Sequence, residues 1–126
     1  MWTNLVPYQQ IALGRTLSPT LQAPLSWVMP ASKSMDVREH RLLVLQLKFK
    51  MDGEFSAASV VKFSLEESID TVLPFKEIAS SVINITQTND AVVMELPLAG
   101  YNFIRPRFDS LHFEGIFTIH ITGMFK

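Results

Sequence analysis

Alternation of apolar and polar residues is the feature that most limits how this chain can fold. From residue 41 onward, apolar side chains recur at every second position. The first such stretch predicts one buried face made of Leu43, Leu45, Leu47, Phe49 and Met51. A period of two matches a β-strand that buries one side. No segment shows a convincing helical period, and residues 76–82 predict one short helical turn at most.

Further alternating stretches predict six or seven strands after residue 41, and one or two more before it. Asp52-Gly53 and Asn89-Asp90 predict turns between them. Pro97 predicts a strand end or an edge strand, and Pro106 predicts an edge or a bulge, because proline cannot donate to a β-ladder. We therefore predict an all-β fold, a jelly-roll-like antiparallel β-sandwich of about eight strands. An immunoglobulin-like sandwich is the alternative.

Residues 1–35 differ from residues 36–126, which carry the predicted sandwich. Four of the seven prolines lie in this first segment, at Pro7, Pro19, Pro24 and Pro30. Charged residues are sparse there, while apolar residues are frequent, so the segment does not resemble a disordered tail. We predict an extended arm that lies on an apolar surface, either of its own sheet or of a neighbouring subunit. Three aromatic residues are the candidate anchors of this arm: Trp2, Tyr8 and Trp27.

Composition narrows the class of protein. The 126 residues predict a single domain, 48% are hydrophobic, and only 18% are charged. The formal net charge of -1 gives no basic excess for binding nucleic acid or an anionic membrane. The chain contains no cysteine, which excludes disulfides and thiolate chemistry. We also expect no signal peptide and no membrane-spanning segment.

The motifs that mark catalysis or cofactor binding are missing from the sequence. It has no glycine-rich phosphate-binding motif and no nucleophile elbow. His112, Glu114 and His120 could together bind a metal, as in a small cupin-like enzyme, but the spacing typical of such sites is lacking. Glu66 belongs to an acidic group for which we predict a solvated turn. The prediction is a protein without enzymatic activity, metal or cofactor.

Arg105 and Arg107 stand out because alternation places both guanidinium groups on one face of a strand. Paired arginines bind carboxylates or phosphates in bidentate fashion. They also commonly pair with acids of their own sheet, for which Asp109 and Glu95 are the candidates. The two arginines are therefore either structural or part of an interface. The mixed charges of residues 36–41 similarly predict a solvated hinge or a subunit contact.

The C-terminal third carries a resemblance to a known family. It contains a Leu98-Ala99-Gly100-Tyr101-Asn102-Phe103 strand entry, a strand with basic and aromatic residues, and a closing strand from Gly115 to Phe125. This stretch resembles the end of the small jelly-roll cement, or decoration, proteins of tailed bacteriophage capsids. The strand–turn–strand pattern between Leu42 and Leu65 follows the same order. The Pro-rich arm has no counterpart in the resemblance.

The resemblance implies a virion structural protein that is made in the host cytoplasm and resides on the capsid surface. Such a protein would form a homo-oligomer, expected to be a trimer, and would bridge major capsid subunits. The interface residues expected on this view are Trp2, Tyr8, Trp27, Arg105 and Arg107. The alternative function is a carbohydrate- or receptor-binding module on a virion or cell surface. Neither function involves nucleic acid or a membrane.

Overall fold

A computed structural model describes the backbone of residues 3–13, 16–18, 21–22, 26–54, 60–72, 74–86, 91–111 and 114–126. It describes the side chains of residues 26–50, 60–72, 74–86, 91–110 and 116–126. Across these residues the chain forms twelve strands and two short 3-10 turns, Ala31–Lys33 and Ala79–Ser81. The strands are β1 (Thr3–Leu13), β2 (Thr16–Ser18), β3 (Leu21–Gln22), β4 (Ser26–Val28), β5 (Met35–Asp36), β6 (Leu42–Glu54), β7 (Val60–Ser68), β8 (Lys76–Glu77), β9 (Ile83–Ile85), β10 (Ala91–Pro97), β11 (Phe103–Leu111) and β12 (Glu114–Phe125). In this part of the chain, no helix has the length and hydrophobicity to cross a membrane.

The strands form two antiparallel sheets and a small ribbon. The first sheet has the order β1–β12–β6–β10, and the ribbon joins β2 to β3. The second sheet has the order β4–β11–β7–β8, with β5 also paired to β11 and β9 also paired to β7. If β4 with β5 and β8 with β9 count as interrupted strands, the two sheets contain eight strand positions. The first sheet then holds positions one, eight, three and six, which is the strand order of a jelly roll.

The predicted all-β, antiparallel jelly-roll sandwich is therefore confirmed. The segment predicted as an arm contributes β1 to the edge of the first sheet and β4 to the second. The short helical turn expected within residues 76–82 is present as Ala79–Ser81.

The core lies between the inward faces of the two sheets. Alternation in β6 places Leu43, Leu45, Leu47 and Phe49 in this core, as the sequence predicts. The side chain of Met51, predicted on the same face, lies outside the described residues. In the second sheet, Val61, Phe63 and Leu65 of β7 are buried on the facing side. Phe108 of β11 and Phe117 of β12 contact each other between the two sheets, with ring centroids 5.2 Å apart. Apolar burial of this kind is the main stabilising contribution in a sandwich.

β7 departs from simple alternation because it is buried on both faces. Ser64 and Glu66 point away from the core, yet Ser64 has no exposed surface and Glu66 is 7% exposed. The solvated turn that the sequence predicts for Glu66 is wrong. On this outer face Arg105 and Arg107 of β11 contact Glu66, a contact between strands that are distant in the sequence.

The turn predicted at Asp52-Gly53 is also wrong. Both residues lie inside β6, where Asp52 pairs with Ile116 and Gly53 pairs with Gly115 of β12. Because β12 offers ladder partners as far as Glu54, strand pairing overrides the local turn preference of the two residues. The turn predicted at Asn89-Asp90 lies outside the described residues.

The two strand prolines occupy different environments. Pro97 is the last residue of β10, an edge strand of the first sheet, as predicted. Pro106 instead lies in β11, which has neighbours on both sides, so the predicted edge position is wrong. On one side, β5 pairs with β11 as far as Ile104, and β4 pairs with it from Arg107. Pro106 therefore lies at the break between these short strands, where its missing N–H is tolerated.

Candidate interaction surface

Arg105 and Arg107 lie on the outer face of β11, side by side as the sequence predicts. Each meets a carboxylate: Arg105 Nε lies 2.9 Å from Glu66 Oε1, and Arg107 Nη2 lies 3.0 Å from Asp109 Oδ1. Arg107 Nη1 also approaches Glu66 Oε2 at 3.5 Å. We call these four residues the outer charge cluster. Its two positive and two negative charges balance each other.

Glu66 is the member of the cluster that sequence reasoning missed. It lies in β7 directly opposite Arg105, and both side chains project from the same face of the sheet. Of the two acids predicted as partners, Asp109 is confirmed, whereas Glu95 lies in β10 of the other sheet. Only the register between β7 and β11 places Glu66 opposite Arg105, and alternation within one strand does not specify that register.

Asp109 is the most strongly engaged acid of the cluster. Its carboxylate accepts hydrogen bonds from Arg107 Nε and Nη2 and from Ser26 Oγ, the last at 2.7 Å. Partial burial opposes ionisation, but the hydrogen bonds from Arg107 and Ser26 outweigh it and lower the pKa of Asp109. The hydrogen bond to Asp109 correspondingly raises the pKa of Arg107. Both groups are therefore charged at neutral pH.

Arg105 is held by further contacts on the same face. Its guanidinium carbon lies 3.9 Å from the ring centroid of Phe75, a cation–π geometry. Its Nη1 donates a 3.3 Å hydrogen bond to the carbonyl of Met29. The side chains of Arg105 and Arg107 retain 18% and 35% exposure, respectively. The cluster thus ties β7, β11 and the segment around Met29 together, while Arg107 remains accessible from solvent.

Trp27 lies on the opposite face of the second sheet from the arginines. It pairs with Phe108 across the β4–β11 ladder, and their ring centroids are 5.8 Å apart. The indole is half-buried against the core of its own chain. Trp2 lies outside the described residues, and so does the side chain of Tyr8, although its backbone belongs to β1. The interface role of all three aromatic residues stays a prediction.

The residues considered for a metal site are only partly described. His112 and the side chain of Glu114 fall outside the described residues. His120 lies on the outer face of β12, opposite Lys48 of β6. Among the described side chains, no group of three histidine or acidic residues converges in a way that could hold a metal ion.

The charged run before β6 forms an exposed corner of the sandwich. Arg38 Nη2 lies 2.6 Å from Asp36 Oδ2, and hydrogen bonds from Arg38 lower the pKa of Asp36 to about 2. The guanidinium of Arg38 also lies over the ring of Phe103, 5.1 Å from its centroid. His40 packs against Phe125 with ring centroids 4.8 Å apart. These contacts tether the run to the sandwich.

The loop between β7 and β8 presents apolar side chains to solvent at this same corner. Ile69 is 67% exposed and Val72 is 85% exposed. Asn102 Nδ2 donates to the carbonyl of Ile69 at 3.1 Å, and the Val72 N–H donates to Asp70 Oδ1 at 3.0 Å. Thr71 has a φ of 65°, an uncommon conformation for a β-branched residue. We call residues 69–72 the apolar loop, and these hydrogen bonds hold part of its backbone.

Comparison with known proteins leaves the family open. No protein-family model matches this sequence, and a comparison with curated proteins finds no relative.

Proposed function

We propose that this chain is a virion structural protein of the capsid decoration type, which bridges and stabilises major capsid subunits through protein–protein contacts. The observation that carries the proposal is the jelly-roll strand order, an architecture that recurs in capsid proteins. Because one fold serves many functions, the strand order supports the proposal only together with a surface suited to the partner. The resemblance of the C-terminal third to cement proteins adds to it.

The apolar loop is the part of the surface best suited to such a contact. Ile69 and Val72 expose apolar area that a protein partner would bury, and two hydrogen bonds within and to the loop lower the cost of ordering it. Arg38 and Asp36 lie exposed at the same corner and supply a polar rim. By contrast, Trp27 and Tyr101 pack against the core, whereas a carbohydrate platform requires an exposed aromatic face.

Co-sedimentation with purified capsids of the encoding phage tests the proposal. We expect the chain to bind expanded shells and to raise the temperature at which they disrupt, because a ligand of the mature lattice stabilises it by mass action. The double variant Ile69→Ser/Val72→Ser is expected to bind at least tenfold more weakly. Ala99→Ser, a conservative change on a neighbouring exposed loop, should bind normally.

Failure to bind capsids would overturn the proposal, and specific binding on a glycan array would favour the carbohydrate-binding alternative. The homotrimer implied by the resemblance stays a prediction, which light scattering coupled to size-exclusion chromatography measures directly.

A further inference from the structure

The outer face of the first sheet carries ordered rows of side chains across β10, β6 and β12. Strand register defines three rows: Glu95, Val44 and Met124; Val93, Gln46 and Thr122; and Ala91, Lys48 and His120. The middle row is uncharged, and Val93 within it is 65% exposed. Val44 and Met124 of the first row are only half-buried. Together these apolar side chains offer area that a protein partner would bury.

Two charges lie on opposite sides of the middle row. Lys48 is one row to one side and Glu95 is one row to the other, so about 13 Å separates them along the strands. Both side chains are exposed, and the described structure shows no ion pair for either. The face therefore has a positive side and a negative side that a second molecule could pair.

The shape of the face differs between its two sides in the same way. A depression of about 240 Å³ opens on the positive side, where Lys48, Lys50, Thr118 and His120 contribute to its lining. Met124 lies on the negative side. Methionine is flexible and fills irregular gaps well. One side thus offers a side chain and the other a space that could receive it.

We propose that this face packs on the same face of a second copy of this chain, about a twofold axis along the row of Val93, Gln46 and Thr122. The axis lies in the plane between the two sheets, which stack about 10 Å apart. It sets the two middle rows over each other and exchanges the outer rows. Glu95 of one copy then comes level with Lys48 of the other, one strand away and about 11 Å between backbones.

Their side chains span that gap, so the symmetry creates two Lys48–Glu95 pairs. The same operation carries Met124 of one copy over the row of Lys48 in the other, at the edge of the depression. The two Gln46 amides meet at the axis, where each can donate to and accept from the other. The contact uses only outward side chains and leaves the backbone hydrogen bonds of β10 unchanged.

Other twofold axes in this plane lack the complementarity. An axis parallel to the strands would keep each row at its own level, so Lys48 would approach Lys48 and Glu95 would approach Glu95. An axis along either outer row would set one of these charges over its own copy. Such like-charge contacts are unfavourable at an interface. The proposed contact goes beyond the proposed function and does not depend on capsid binding.

Solution mass and charge reversal test the contact. A twofold contact predicts an even multiple of 14.3 kDa, two copies from this face alone or six if a trimer also forms. Lys48→Glu and Glu95→Lys should each weaken association on the order of tenfold, because both pairs become repulsive, and combining them should restore it. The matched controls Lys76→Glu and Glu39→Lys, exposed elsewhere, should change nothing. A mass of one or three copies, or a double variant that stays weak, would overturn the proposal.

Cross-linking tests the face-to-face geometry, since the chain contains no cysteine of its own. Two Val93→Cys residues would lie over each other on the axis with Cα atoms about 10 Å apart, beyond the reach of a disulfide. A bismaleimide that spans about 10 Å should therefore join them, whereas mild oxidation should not. Glu39→Cys, at the exposed corner, is the control and should stay monomeric with both reagents. Absent cross-linking, equal cross-linking of the control, or ready disulfide formation by Val93→Cys would overturn the proposal.

Discussion

Arg105 and Glu66 face each other directly across the β7–β11 ladder, and Arg105 Nε donates a 2.9 Å hydrogen bond to Glu66 Oε1. The two residues are 39 positions apart in the sequence. Glu66 is buried, and two arginines approach its carboxylate, Arg105 at 2.9 Å and Arg107 at 3.5 Å. Because the two opposite charges pair with each other, the outer face of the second sheet can carry charged residues that are largely removed from solvent.

We expect Glu66→Gln to destabilise the fold, because it leaves two partly buried guanidinium groups with one fewer negative partner. The expected loss is about 2 kcal/mol, less than for a fully buried pair because the arginines retain solvent contact. Urea denaturation measures it. Glu77→Gln removes the more exposed Lys62–Glu77 pair and should cost less than about 1 kcal/mol. Equal losses in the two variants would contradict this account.

The lowered pKa of Asp109 leads us to expect a decrease in stability at acid pH. Its pKa is lower in the folded protein than its ordinary value of 3.8. A lowered carboxyl pKa contributes stability that is present above the unfolded pKa and is lost as pH falls through the folded pKa. The free energy of unfolding should therefore decrease below about pH 4, and more gradually in Asp109→Asn. An Asp109→Asn variant whose stability falls as steeply as that of the wild type would contradict this account.

We expect replacement by alanine to have opposite effects on stability at Ser64 and at Ser81. Both are buried, but Ser64 Oγ has no hydrogen-bond partner in the described structure. Ser81 Oγ accepts from the Leu65 N–H at 2.8 Å and donates to the Ile78 carbonyl at 2.6 Å. Ser64→Ala should be neutral or stabilising, whereas Ser81→Ala should cost roughly 1–3 kcal/mol. Thermal unfolding of both variants compares them, and a destabilised Ser64→Ala would contradict the assignment.

We expect Trp27→Ala to lower stability by an amount that does not depend on protein concentration. Because its indole packs on Phe108 within one chain, Trp27→Ala should destabilise that chain by about 2 kcal/mol. The shift in unfolding midpoint should be the same at low and high protein concentration. A shift that depends on concentration would instead indicate that Trp27 anchors a contact between subunits. Phe108→Ala, which also loses the ring contacts with Phe63 and Phe117, should cost more, about 3–5 kcal/mol.

The sequence by itself determined which side chains of each strand could be buried together. Alternation predicted the core positions of β6, and Pro97 predicted a strand end or an edge strand. Side-chain direction follows from the backbone period of two, which is a local property and can be read within a single strand. For the same reason, Arg105 and Arg107 could be assigned to one face from their spacing alone.

Only the tertiary structure decided which strands meet and in what register. The partner of Arg105, the continuation of β6 through Asp52-Gly53, and the position of Pro106 at a break between β4 and β5 all depend on strands far away in the sequence. Pairing energy between such strands is non-local, and a shift of one residue would exchange the faces. Register therefore brought Glu66 beside the arginines, a feature that the pattern of single strands does not contain.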